Sequence, residues 1–128
     1  MTPVRQTIFV ADHPKGYGNC LSAAIASILD LPIGEVIDTT SDEVRDTGFW
    51  GPIYRWLAAH GWRVEHCGVG DQRLSGVYSI GYGPSPRGKF SHAVVCKNGV
   101  MVWDPHPSDD GVLRITHHDL LVPADGEH

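Results

Sequence analysis

The sequence predicts an α+β fold, with N-terminal helices packed on a central antiparallel β-sheet. Two observations carry the prediction. Apolar residues recur at helical spacing as far as Gly61, and beyond Gly61 they alternate with a period of two. A third bounds it. With 128 residues, 41% hydrophobic and 20% charged, the chain suits one domain over residues 1–128 and needs no disulfide or metal to fold.

In chain order, Thr7–Val10 is short and apolar and is expected to form an initial strand. Asp12-His13-Pro14-Lys15-Gly16-Tyr17-Gly18 is a loop by composition. From Cys20 to Leu29, the residues Leu21, Ala24, Ile25 and Ile28 form one helical face. Ser22, Ala23, Ala26 and Ser27 keep that helix slim, so it can be packed on most sides. Asn19 is a good N-cap, and Pro32 marks the stop. Pro32–Ile37 reads as a helical turn and Thr39–Gly48 as a polar loop. Pro52 suits the first turn of another helix, carrying Ile53, Trp56, Leu57 and His60 and ended by Gly61. Trp62–Cys67 alternates as a half-buried strand does. Gly76–Tyr82, Ser91–Cys96, Val100–Asp104 and Val112–Ile115 are expected to be further strands.

The segment from Ser91 to Asp104 reads as a hairpin with a definite register. A three-residue loop, Lys97-Asn98-Gly99, with Gly in the left-handed region, pairs Cys96 with Val100, Val94 with Val102 and His92 with Asp104. These six residues then share one face, and Ala93, Val95, Met101 and Trp103 share the other. A two-residue turn would place His92 and Asp104 on opposite faces. Both faces are apolar, so the hairpin is expected to be central and covered on both sides. The helix beginning at Cys20 is expected to pack on the His92 face.

Composition excludes several classes of function. A net charge of −5 and a pI near 5.8 make a poor general nucleic-acid binder, because phosphate contacts need surplus Lys and Arg. No apolar run approaches the ~20 residues of a membrane helix. Met1–Val10 is too short and polar for a signal peptide. Cys20, Cys67 and Cys96 are odd in number, widely spaced and without a CxxC pair, which fits a reducing, cytoplasmic location.

Cys20 follows a Gly-rich loop at the first turn of a helix, where free N–H groups and the helix dipole favour a thiolate. His92 can take the thiol proton and later protonate a leaving group. Asp104 can hold the ring and select its tautomer. Each residue alone has an ordinary structural explanation; the combination points to nucleophilic chemistry.

The runs Gly18-Asn19-Cys20-Leu21-Ser22-Ala23-Ala24-Ile25-Ala26-Ser27, Leu31-Pro32, Ser91-His92-Ala93-Val94-Val95 and Trp103-Asp104-Pro105-His106-Pro107-Ser108 resemble the papain-like cysteine peptidase fold. Within it they are most similar to small bacterial and phage proteins related to the bacteriocin-processing peptidase family. The resemblance covers about Gln6 to Gly111. It implies Cys20 as nucleophile, His92 as base and Asp104 as the third member of a triad. It also implies a Gln upstream of the Cys that donates to the oxyanion. Gln6 is the sole candidate, 14 positions before Cys20, which is farther than such enzymes usually place it. Either the loop Asp12–Gly18 bulges outward to absorb the excess, or the Asn19 side chain or helix-start N–H groups supply the oxyanion site.

Other signals carry less. Gly83-Pro84-Ser85-Pro86-Arg87-Gly88-Lys89 fits the first seven positions of a P-loop, but Phe90 stands where Ser or Thr is needed and a strand follows instead of a helix. Arg87 and Lys89 are available to touch an acidic substrate, or are simply solvated. Cys20, His92, Asp104 and His106 could in principle meet around zinc, but no ligand-spacing motif supports a metal. Neither a metal nor another cofactor is expected. The expected function is thiol-dependent hydrolysis or acyl transfer on a peptide or small amide. The alternative is a catalytically silent, phage-derived effector that binds a host protein in the same cleft.

Overall fold

A computed structural model of the chain describes residues 1–124, so the expected domain end at 125–128 lies outside the described residues. Helix α1 spans Cys20–Leu29, α2 Asp42–Asp46 and α3 Trp50–Ala59. Strands β1 (Trp62–Cys67), β2 (Tyr78–Pro84), β3 (Ser91–Lys97), β4 (Val100–Trp103) and β5 (His117–Pro123) follow. They form a five-stranded antiparallel sheet in the order β1-β5-β2-β3-β4. The α+β arrangement of helices before sheet is therefore present. Among the described residues no helix is long and apolar enough to cross a membrane.

Small side chains explain the placement of α1. Ser22, Ala23, Ala24, Ala26 and Ser27 are all buried, so sheet and loops approach it from several sides. Its buried serines are satisfied within the fold. Ser22 Oγ donates to Ile37 O at 2.8 Å, and Ser27 Oγ donates to Ala23 O at 2.8 Å while accepting from Val4 N at 3.0 Å. These bonds stitch the linker and the N-terminal segment onto the helix. Ile25 meets Ile53 and Leu57 of α3 and the sheet residues Ile80, Ala93 and Val95 in one core.

That core corrects one expectation. α1 packs on the face of β3 that carries Ala93 and Val95, and Trp103 joins the same cluster. Strand alternation places His92, Val94 and Cys96 on the opposite face. Ala93 is small enough for the helix to approach closely, whereas a face bearing His92 would hold it off.

The hairpin also differs from the expected register. Asn98 and Gly99 both have positive φ, 56° and 77°, and Lys97 pairs with Val100 and Cys96 with Met101. The turn is thus two residues long, the geometry that Asn-Gly favours. A bulge follows: Val95 pairs with Trp103, so the register shifts by one residue between Val95 and Cys96. The added residue in β4 reverses the parity that the short turn imposed. Nor is the hairpin central. β4 is an edge strand with Val100 and Val102 exposed, and only β3 is buried along its middle five residues.

Three further expectations fail. Thr7–Val10 forms no strand, because its backbone bonds to the α1 start. Thr39–Gly48 holds the short helix α2, whose first turn is capped by Ser41 Oγ accepting from Val44 N at 3.3 Å. Val112–Ile115 is irregular. The last strand is β5, inserted between β1 and β2, and the segment before it bonds to β2 through Leu113 N to Pro84 O and Thr116 N to Tyr82 O. There the Arg114 carbonyl passes so close to Gly83 that a Cβ would sit 1.8 Å from its oxygen.

Candidate active site

Cys20 and His92 line one cleft of about 590 Å³. Cys20 is the first residue of α1, and His92 is the second residue of β3. Although α1 packs on the other face of β3, both residues lie at element ends and line the same cleft. His92 Nε2 donates to Asp104 Oδ1 at 2.7 Å, so Nδ1 is the nitrogen left for the thiol. His92 and Asp104 are each 2% exposed.

The electrostatics follow from that pairing. Burial works against a charged His92. The Asp104 hydrogen bond, together with the neighbouring Cys20 thiol, outweighs it and pushes the imidazole up to about 9. Burial likewise works against the Asp104 carboxylate. Hydrogen bonds from His92, the His106 N–H at 2.9 Å and the Gly111 N–H at 2.8 Å hold it down to about 2. A buried carboxylate with three donors is a fixed anion, and it keeps His92 oriented and ready to carry a proton.

Asp104 is itself held from outside the hairpin. Arg5 Nη1 donates to the carbonyls of Asp104 and His106, each at 2.9 Å, and its guanidinium lies 4.1 Å from the Trp103 ring centroid. Trp103 Nε1 donates to Val4 O at 3.0 Å. Nothing near Arg5 in sequence signals this role, because its partners lie about a hundred residues away.

Gln6 lies in the same cleft, 6% exposed. Its Nε2 donates to Ile8 O at 3.1 Å, and its Oε1 has no partner among the described residues. The sequence gap before Cys20 is absorbed by an excursion of residues 9–18, closed where Asn19 N donates to Ile8 O at 3.1 Å. Gly18 permits this approach, since a Cβ there would lie 3.3 Å from Gln6 Nε2.

Asn19 does something other than expected. Its side chain does not cap α1, and Asn19 is not among the residues that line the cleft. Oδ1 accepts from Thr7 N and Ile8 N, both at 2.9 Å, and Nδ2 donates to Thr7 Oγ1 at 2.9 Å. It anchors the segment that carries Gln6. The helix-start N–H groups beside Cys20 remain available to an oxyanion.

Tyr82 forms the back of the cleft, and no local sequence signal marks it. Its hydroxyl donates to Asp119 Oδ2 at 2.9 Å, and Asp119 Oδ1 accepts from His66 Nδ1 at 2.5 Å. Burial, the charge and hydrogen bond of Asp119 and the nearby Cys20 push the Tyr82 phenol well above its usual range. The other two cysteines lie elsewhere. Burial raises the thiol of Cys67 and pushes that of Cys96 up to about 11, which makes both poor nucleophiles. No cluster of three or more metal-ligating side chains occurs among the described residues. Both oxygens of Asp104 are taken by hydrogen bonds. No protein-family model matches the chain, and neither does any curated protein or any solved structure.

Proposed function

We propose that the protein is a papain-like, thiol-dependent hydrolase or acyltransferase that acts on a peptide or small amide. One observation carries this reading: Cys20 at a helix start shares a cleft with His92, whose far nitrogen is hydrogen-bonded to the buried carboxylate of Asp104. The Cys20 sulfur attacks the substrate carbonyl after its proton passes to His92. Oxyanion charge is met by the backbone N–H at the start of α1 and by the Nε2 hydrogen of Gln6 not bonded to Ile8. The C–N bond breaks as His92 returns its proton to the leaving nitrogen, and a thioester remains. Water or another nucleophile attacks the thioester, His92 accepts its proton, and the acyl product leaves with the thiol restored. Three free cysteines fit a reducing, cytoplasmic setting.

The test is covalent labelling with amide- and ester-based activity probes, wild type against Cys20→Ala. Labelling confined to wild-type Cys20 supports the reading. A probe-inert but folded wild type would leave the silent, partner-binding alternative, which the engagement of Gln6 Nε2 by Ile8 O favours.

A further inference from the structure

Resting on the thiol chemistry above, we propose that the cleft selects substrates bearing a carboxylate beside the scissile amide, with Arg45 as its principal reader. Arg45 lies in α2 and lines the cleft. Its Nε donates to Thr39 O at 2.9 Å. The guanidinium lies over the rings of both Tyr17 and Phe49, 3.9 Å and 4.6 Å from their centroids. Among the described residues its two terminal nitrogens have no hydrogen-bond partner and no carboxylate. A guanidinium fixed by two rings and one backbone carbonyl has already lost its rotamer freedom, and its open fork suits a bidentate carboxylate.

Three observations strengthen the assignment. Phe49 has φ 61° and ψ −68°, a strained conformation for an aromatic residue. Its N–H donates to Val44 O at 2.9 Å, and the Trp50 N–H reaches Gly48 O at 2.6 Å. That strained turn sets one ring under Arg45 and aims the next, Trp50, at Tyr82; strain of this kind concentrates at ligand sites. Second, Arg87 also lines the cleft, braced by Ser108 Oγ at 3.2 Å and by no carboxylate among the described residues. Third, among the described residues no Asp or Glu lines the cleft, although acidic residues outnumber basic ones by 15 to 10 in the chain. Two acids of the neighbouring segments are engaged elsewhere, Asp42 by Lys15 at 2.6 Å and Asp109 by Arg5 at 2.9 Å. An incoming anion therefore meets cations that the protein has left unneutralised. The aromatic walls formed by Phe9, Tyr17, Trp50 and Phe90 suit an apolar neighbour of that carboxylate.

The experiment compares alkylation of Cys20 by three near-isosteric reagents. N-iodoacetyl-glutamine carries a terminal carboxylate, N-iodoacetyl-glutamic acid α-amide a side-chain carboxylate, and N-iodoacetyl-glutaminamide none. At least one anionic reagent should react about tenfold faster than the neutral one, the scale of a charge-assisted hydrogen bond. Which anionic reagent leads tells a chain-terminal carboxylate from an acidic side chain. Arg45→Gln should bring the anionic-to-neutral ratio close to that of a small free thiol. In the unmutated protein the preference should shrink as salt rises to about 0.5 M. Rates within about twofold across the three reagents, or a preference unaltered by Arg45→Gln, or one unaltered by salt, overturn the proposal while leaving the thiol chemistry standing. A Cys20 inert to all three overturns both.

Discussion

Replacing Asp104 by Asn tests the His92–Asp104 pair through stability alone, without a substrate. An imidazole held at about 9, against about 6.5 in an unfolded chain, contributes on the order of 3 kcal/mol of stability. Because the folded value is the higher one, that contribution is complete below about pH 6.5 and fades as pH rises through about 9. Asp104, lowered to about 2, contributes above its unfolded value of about 4 and loses that only in strong acid. The pair is therefore fully effective between about pH 4 and 6.5. In Asp104→Asn the amide oxygen can replace Oδ1, keeping the bonds from His92 and His106. The amide nitrogen then faces the Gly111 N–H, a buried donor left without an acceptor, at about 1–3 kcal/mol. That second cost does not depend on pH. Urea unfolding under reducing conditions should show a loss that is larger at pH 6 than near pH 10 by up to about 3 kcal/mol, with about 1–3 kcal/mol remaining near pH 10. Groups remote from His92, including the buried His118, titrate in both proteins and cancel in the difference. A loss of the same size at pH 6 and pH 10, or a larger loss at pH 10, would refute the ion pair.

In the native protein near neutral pH, iodoacetamide should modify Cys20 alone, with Cys67 and Cys96 reacting only after unfolding. Peptide mass spectrometry reads the sites, and native modification of Cys67 or Cys96 in Cys20→Ser would contradict the burial argument. Gly83→Ala should lower the melting temperature sharply or prevent folding, because its Cβ would lie 1.8 Å from Arg114 O. Gly34→Ala, which meets nothing within 4 Å, should leave it nearly unchanged, and equal melting temperatures would dismiss the close approach. Asn98→Ala should cost about 1–2 kcal/mol by placing Ala at φ 56° and removing the bond that Gly76 N donates to Asn98 Oδ1 at 2.5 Å. Asn98→Gly should recover part of that loss in the same unfolding assay.

The helices α1 and α3 and the strand β1 were legible because each rests on a local period. The C-terminal ends of both helices carry the expected signs, Pro32 after α1 and Gly61 after α3, whereas Asn19 does not cap α1 with its side chain. β5 was not legible. It opens His117-His118-Asp119, a polar run, yet His118 and Asp119 are buried, held by Ser79 at 3.0 Å and by Tyr82 at 2.9 Å. Long-range partners turn polar letters into core residues, and no window of ten residues contains those partners. The same limit hid Arg5 and Tyr82. Thr7–Val10 failed for the opposite reason. Its apolar letters suit a strand, but the Asn19 side-chain oxygen takes the N–H groups of Thr7 and Ile8, consecutive donors that in a strand would point to opposite edges.

The hairpin shows what a sequence can determine when its details mislead. Face matching favours a three-residue loop, because a two-residue turn by itself puts His92 and Asp104 on opposite faces. The turn is Asn98-Gly99, two residues, and an extra residue in β4 shifts the register beyond it. Past that bulge, the parity of His92 relative to Asp104 is the one the longer loop would have set. Turn preference and face preference pull against each other here. Asn-Gly favours the tight turn, worth a kcal/mol or so. A buried carboxylate stranded away from its imidazole and its N–H donors would cost several. The carboxylate's demand is the stronger, and the chain accommodates both by bulging at an edge strand, where an unpaired residue can face water. Face assignments of charged residues in a hairpin are thus a firmer guide than the turn residues that connect it, because only the former carry an energy large enough to force the backbone out of register.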